Sequence, residues 1–262
     1  MPSTLEAFFT HGDAPCALLP STASAQEDSR WSHEALLYLH SPQDAGQTSL
    51  LLQYGFSRAK SGQGIVLVLC GEGGAHKPKP TVVPLAPCAV CHAPVKTGMD
   101  NDVWRRVRIK YIPTSDALQT FAWSLQLAHS DQTSVLLVDS FDKFFTMESM
   151  GPVYQTLAAL FEARRYMAET TGHGQVVLSG GSDAFFLHDR RILQRWCRFL
   201  RISRTRDDGS FVLGYEDAPD DEEEEAHGEE YVVGVGYEYH LRREGLSEGS
   251  FGLQRIFTRR ST

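Results

Sequence analysis

Three short stretches carry side chains suited to handling a nucleotide phosphate. Ser41-Pro42-Gln43-Asp44-Ala45-Gly46-Gln47-Thr48 lies between an apolar run at 35–39 and a segment of helical composition at 49–59. Strand, loop and helix in that order are the context of a P-loop, G-x-x-x-x-G-K-[ST], whose backbone N–H groups and helix N-terminus hold phosphate oxygens. Gly46 and Thr48 fit the pattern, whereas Ser41 stands at the first glycine position and Gln47 at the lysine. A neutral amide cannot stabilise the charge that develops during phosphoryl transfer as a lysine does. The stretch is therefore expected to be crippled for hydrolysis while leaving weak binding of ATP and Mg²⁺ open. The alternative is a plain strand-turn-helix with Gly46 serving only the turn.

The second stretch is Ile65-Val66-Leu67-Val68-Leu69-Cys70, closed by Gly71-Glu72-Gly73-Gly74. A carboxylate at the end of the strand that follows a phosphate-loop helix can polarise an attacking water, and the glycines allow close backbone approach. The plainer reading of Glu72 is an exposed turn acid. The third stretch is Val135-Leu136-Leu137-Val138-Asp139, four apolar residues ending in a carboxylate. Such a strand places its Asp beside the loop threonine, where it orients Mg²⁺ through water.

Two further clusters bear on partners. From Arg190 to Arg206 there are seven arginines in seventeen residues and no acid. Arg190, Arg191, Arg195 and Arg198 are candidates for tracking a nucleic-acid backbone, with Phe185, Phe186 and Trp196 as possible stacking surfaces. Equally open is that these aromatics are core and the arginines pair with acids. Cys88-Ala89-Val90-Cys91-His92 has half of a zinc site, with Cys88, Cys91 and His92 as weak ligand candidates. A second pair of ligands is missing, so free thiols in a loop are the default.

These residues need a scaffold, and the chain is long enough for one. Its 262 residues are 42% apolar, which suits one globular core. No apolar run is long enough to span a membrane, and the start lacks the basic-then-apolar pattern of a secretory signal. Five cysteines without framework spacing fit a reducing compartment. The formal charge of −8 is concentrated: residues 216–230 hold ten acids and no Lys or Arg, leaving the remainder at +2. Acidic blocks of this kind usually form solvated insertions.

Residues 1–32 read as a flexible segment with one apolar cluster, Leu5-Glu6-Ala7-Phe8-Phe9, which tethers to the chain's own core or docks on a neighbour. Residues 33–262 read as one domain with insertions at about 75–102 and 216–230. Its expected elements are buried strands at 65–70, 134–140 and 175–179, a strand at 107–112, and helices at 116–129 and 153–168. An Asp-Gly turn near 207–209 joins strands at 199–204 and 210–215, and a second hairpin spans 231–242 and 251–258. The fold class is α/β, with a mostly parallel central sheet and antiparallel hairpins at the C-terminal end.

The order of these elements, with Glu72 after the second strand, resembles the RecA-type recombinase core. Within that family the chain looks most like the SWIM-domain-associated, ATPase-like subunit of the Shu complex, through Arg108-Ile109-Lys110-Tyr111-Ile112-Pro113-Thr114-Ser115, the Ala128-His129 helix end, Leu136-Leu137-Val138-Asp139 and Leu193-Gln194-Arg195-Trp196. The resemblance implies a nuclear role in homologous recombination repair, with single-stranded DNA, a SWIM-domain zinc protein and a recombinase filament as partners. It also implies DNA-contacting loops at about 141–151 and 180–189. Departures at Ser41 and Gln47 put ATP-driven cycling in doubt, and the two insertions have no counterpart. The alternatives are a working, DNA-stimulated ATPase of the same family, or an Elongator-type RecA-like assembly subunit acting in tRNA modification.

Overall fold

A computed structural model describes residues 5–9, 36–71, 100–127, 133–145, 149–205, 209–216, 232–244 and 248–260. In chain order these form a 3-10 turn (Glu6–Phe8), β1 (Leu36–Ser41), α1 (Gln47–Lys60), β2 (Gly64–Cys70), α2 (Asn101–Trp104), β3 (Val107–Ile112), α3 (Ser115–Leu127) and β4 (Thr133–Asp139). There follow a 3-10 turn (Phe141–Phe144), α4 (Met150–Thr171), β5 (Gln175–Gly181), a 3-10 turn (Phe185–Asp189), α5 (Arg190–Leu193), β6 (Cys197–Arg204), β7 (Ser210–Tyr215), β8 (Val232–Glu244) and β9 (Glu248–Arg260).

All nine strands join one sheet in the order β3-β2-β4-β5-β1-β6-β7-β8-β9. The strands from β3 to β6 in that order run parallel to their neighbours, and β7, β8 and β9 are added antiparallel. This is an α/β fold with a mostly parallel sheet and C-terminal antiparallel strands, as its apolar runs and turn residues suggest. The run in β1 is apolar because β5 and β6 flank it and both faces are covered, so every residue from Leu36 to Ser41 is buried. Lying at the edge with β2 as its one partner among the described residues, β3 keeps Arg108, Ile109 and Lys110 exposed.

Alternation along the strands divides the core between the two faces of the sheet. Leu37 and Leu39 of β1 pack with α1, while Leu36 and Tyr38 point to the face covered by α3 and α4. The first face also receives Leu5, Phe8 and Phe9, all fully buried. Phe8 lies 4.7 Å from the Tyr54 ring of α1, and Phe9 stacks on Tyr237 of β8 at 5.7 Å. That part of the segment read as flexible is thus seated on the chain's own core, because a helix face and the C-terminal sheet together offer it an aromatic pocket. The remainder of 1–32 lies outside the described residues, as do 75–99 and 217–230 of the two expected insertions.

Helix boundaries differ from the expected ones where caps decide them. At 22 residues, α4 exceeds the expected 153–168; it stops where Gly172 takes φ 74° and donates its N–H to Ala168 O. Helix α3 starts where the Thr114 hydroxyl accepts the Ala117 N–H at 3.2 Å. It ends at Leu127, and 128–132 lie outside the described residues.

Candidate nucleotide site

Strand ends bring the phosphate-handling residues together. The parallel order places the C-terminal ends of β1, β4 and β5 side by side, so the loop after β1 faces the residue that ends β4. Thr48, in the first turn of α1, donates its hydroxyl to Asp139 Oδ2 at 2.8 Å. Ser179 of β5 donates to Asp139 Oδ1 at 2.8 Å and accepts the Ser140 N–H at 3.1 Å. Both carboxylate oxygens of Asp139 are therefore engaged. Burial pushes this carboxyl above its ordinary range, against the Ser179 and Thr48 hydroxyls and the Lys143 charge, which pull it down. A cation at this point would relieve that burial, which is the situation of a carboxylate suited to Mg²⁺.

The loop has the shape that its glycine requires. Gly46 adopts φ 74° immediately before α1, and its carbonyl accepts the Leu50 N–H at 3.0 Å. No acid occupies the first turn of α1, so the positive end of this 14-residue helix is unopposed. Ser41 at the end of β1 donates its hydroxyl to the Gln47 carboxamide oxygen in a short hydrogen bond. That contact ties the two ends of the loop to each other and leaves the NH₂ of the amide as its remaining hydrogen-bonding group. Where the motif has a full charge, this loop offers a neutral donor.

The C-terminal strands support the loop from below, which the sequence did not reveal. Tyr239 of β8 donates its hydroxyl to Ala45 O at 2.8 Å, and Leu241 packs against Gly46, 3.3 Å from where a Cβ would stand. The Tyr239 ring is itself held by Phe9 and Phe211, at 5.6 and 5.5 Å. Residues nearly two hundred positions apart thus set the loop, and no local pattern marks Tyr239 for that role. Ser179 was missed for a similar reason: it lies beside Asp139 only because β5 pairs with β4.

Other candidates are dispersed. Glu72 lies just beyond Gly71, outside the described residues, as do Cys88, Cys91 and His92. Among the described residues no group of three or more His, Cys, Asp and Glu is placed to hold a metal ion. Cys70 and Cys197 are free thiols.

The arginines are divided between the two faces of the sheet. Arg190 pairs with Glu216 through a short contact, and Arg201 lies 4.0 Å from the same carboxylate. His40, buried at the end of β1, lies 2.8 Å from Glu216 through Nε2. Burial alone would raise Glu216, but the hydrogen bonds and charges of His40 and Arg190 win and bring it down to about 2. On the other face, Arg198 lies over the Tyr215 ring at 3.4 Å and Arg204 over Phe211 at 5.5 Å. Arg191 and Arg195 are exposed around α5. Phe186 is core, and Phe185 and Trp196 pack against the same cluster. In the two expected DNA loops, Phe141 and Phe144 are buried, Lys143 is exposed, and 146–148 lie outside the described residues.

No protein-family model matches the sequence, and no curated protein matches it. Among solved structures, the chain is similar to one described as a crystal structure of the RadB recombinase. The two share 15% identity over 79% of this chain and 87% of the other, with a TM-score of 0.48. The sheet observed here is parallel through β6 with antiparallel strands beyond. No helix among the described residues is long and apolar enough to cross a membrane.

Proposed function

We propose that this chain is a RecA-like paralogue that works in recombinational DNA repair as a DNA-binding subunit with a weakened nucleotide site. The observation that carries the reading is the state of the loop. Thr48 and Asp139 keep the contact that positions Mg²⁺, while Gln47 turns inward onto Ser41 where the motif aims a lysine at phosphate. Loss of a single preorganised donor commonly costs roughly 10²–10³-fold in turnover, and here a full charge is missing. Binding of nucleotide is retained in this reading and hydrolysis is slow.

DNA engagement is assigned to the arginine segment, with Arg191 and Arg195 exposed and Arg190 held by Glu216. The finer proposal follows the resemblance of residues 108–115, 136–139 and 193–196. It names a SWIM-domain zinc protein as partner, single-stranded DNA and a recombinase filament as targets, and the nucleus as the place. Fluorescence anisotropy on single-stranded DNA at two salt concentrations, with and without ATP and Mg²⁺, tests the core of it. Salt-sensitive binding indifferent to ATP is expected; binding that appears only with ATP would overturn the weakened-site reading. Stable co-purification with a SWIM-domain protein as a small heterodimer tests the partner, and a large ring would refute it.

The intact Thr48–Asp139 contact also favours a second reading, a working ATPase in which a cation from a partner replaces the lysine. Steady-state phosphate release with DNA and partner present separates the two. In the first reading, Gln47→Lys raises turnover; in the second it changes little.

A further inference from the structure

The pole of the sheet opposite the nucleotide loop carries a second charged feature. A cleft of about 450 Å³ opens at the N-terminal ends of β2, β3 and β4, between the turn after α1, the arginines around the start of β3 and the end of α4. Its volume falls in the range of roughly 300–1,000 Å³ typical of small-molecule sites. Arg105, Arg106, Arg108 and His173 line it, and among the described residues no carboxylate does. Seven-residue β4 separates this cleft from Asp139, so the two sites are roughly 20 Å apart.

The lining is only partly satisfied from within. Arg106 donates one N–H to Ala59 O at 2.9 Å, which anchors its guanidinium at the cleft with further donors to spare. Among the described residues Arg105 has a single ion pair, 3.5 Å to Asp102, with both side chains more than 80% exposed, a geometry that competes weakly with a better anion. Arg108 makes no hydrogen bond or ion pair among the described residues. Gln63, 8% exposed, lines the same cleft, and its buried carboxamide oxygen has no hydrogen-bond partner among the described residues. An acceptor in that condition can take a donor from a bound ligand or a water once the side chain turns toward the cleft. The cleft therefore asks for a ligand that is anionic at one end and a hydrogen-bond donor at the other.

We propose that this cleft binds a phosphate-bearing ligand, with phosphate oxygens on Arg105, Arg106 and Arg108 and a donor group on the Gln63 oxygen. A mononucleotide supplies both ends, through its phosphate and through a ribose hydroxyl or a base amino group. A nucleic-acid phosphodiester supplies the same oxygen chemistry from a polymer. The site is independent of the nucleotide loop, so it stands or falls apart from the proposed function.

The test is fluorescence anisotropy of a fluorescein-labelled 5′-mononucleotide in full-length protein. The loop variant Gln47→Ala/Thr48→Val removes the first site and leaves the cleft untouched, so binding that persists there reports the second site. In that background, Arg105→Ala/Arg108→Ala is expected to weaken binding by about tenfold or more, since each side chain contributes charge-assisted hydrogen bonds. Gln63→Met, which removes the acceptor for the ligand's donor group, is expected to weaken mononucleotide binding while leaving pyrophosphate binding unchanged. Both arginines are exposed, so their removal leaves the core intact, and circular dichroism checks this. Competition by inorganic pyrophosphate and by a single-stranded oligonucleotide distinguishes the sources: the better competitor names the free or the polymeric phosphate, and either supports the site. Loss of all mononucleotide binding in the loop variant overturns the proposal, as does binding unchanged by removal of the two arginines.

Discussion

Replacing Tyr239 by Phe isolates the support that the C-terminal strands give the nucleotide loop. The ring remains between Phe9 and Phe211, so no cavity forms and only the hydroxyl is lost. With it goes the 2.8 Å hydrogen bond to the carbonyl of Ala45, a residue 1% exposed. A made hydrogen bond is worth about 1 kcal/mol net, and leaving a buried acceptor unpaired costs about 1–3 kcal/mol. The carbonyl lies in a loop that can shift toward water, so we take the lower half, about 1–2 kcal/mol. For a chain of this size each kcal/mol moves Tm by roughly 2–4 °C, giving a fall of about 2–8 °C. Urea denaturation should show a lower midpoint with an unchanged slope. Nucleotide affinity should fall alongside, because the loop loses its hold at Ala45, next to Gly46. An unfolding free energy unchanged from wild type would refute the view that β8 fixes the loop.

Three further outcomes are expected. Asp139→Asn should abolish Mg²⁺ dependence of nucleotide binding while raising stability, measured by urea titration at several pH values. Burial holds the Asp139 proton to higher pH than in the unfolded chain, so the ionised form is destabilising, and the variant's advantage grows as pH rises from the ordinary 3.8 through the raised value. Glu216→Gln should lower stability at neutral pH by about 1 kcal/mol, an amount discounted for the solvent that reaches this pair. The folded carboxyl titrates at about 2 against an ordinary 4.5, so that contribution is present above 4.5 and disappears as pH falls toward 2, where the two proteins should converge. Gly180→Ala should be severely destabilising, at about 2–3 kcal/mol or more in denaturant titration, because a Cβ would lie 2.1 Å from Tyr38 Oη and 2.8 Å from Asp142 Oδ1 in a packed core.

The weight of these predictions falls unevenly on sequence and on structure. Strands β1, β2, β4 and β5 were legible because a strand covered on both faces must be apolar throughout, and four such runs separated by helical segments leave few arrangements open. Thr48 and Asp139 were legible as partners because a hydroxyl after a glycine turn and a carboxylate ending a strand have one shared chemistry. The hairpins followed from the turn residues near Gly209 and from alternation.

Other features depend on which strands become neighbours. The arginine segment reads as one basic stretch, yet β6 is a strand, so its alternation sends Arg201 to one face with Arg190 and Glu216 and Arg198 to the other with Tyr215. Ser179 is an ordinary strand residue until β5 pairs with β4 and sets its hydroxyl on Asp139. Phe8 and Phe9 are an isolated apolar pair until α1 and β8 converge to bury them. Tyr239 reaches the loop only because the last strands extend the sheet past β1 and β6, and the cleft at Gln63 exists only where three strand starts meet the turn after α1. Local pattern determined the elements and the residue types of the candidate nucleotide site, since periodicity and backbone chemistry act over a few residues. Tertiary structure decided what supports that site, which arginines stand together and where a second anion site lies, since those depend on contacts between segments whose separation along the chain carries no local signal.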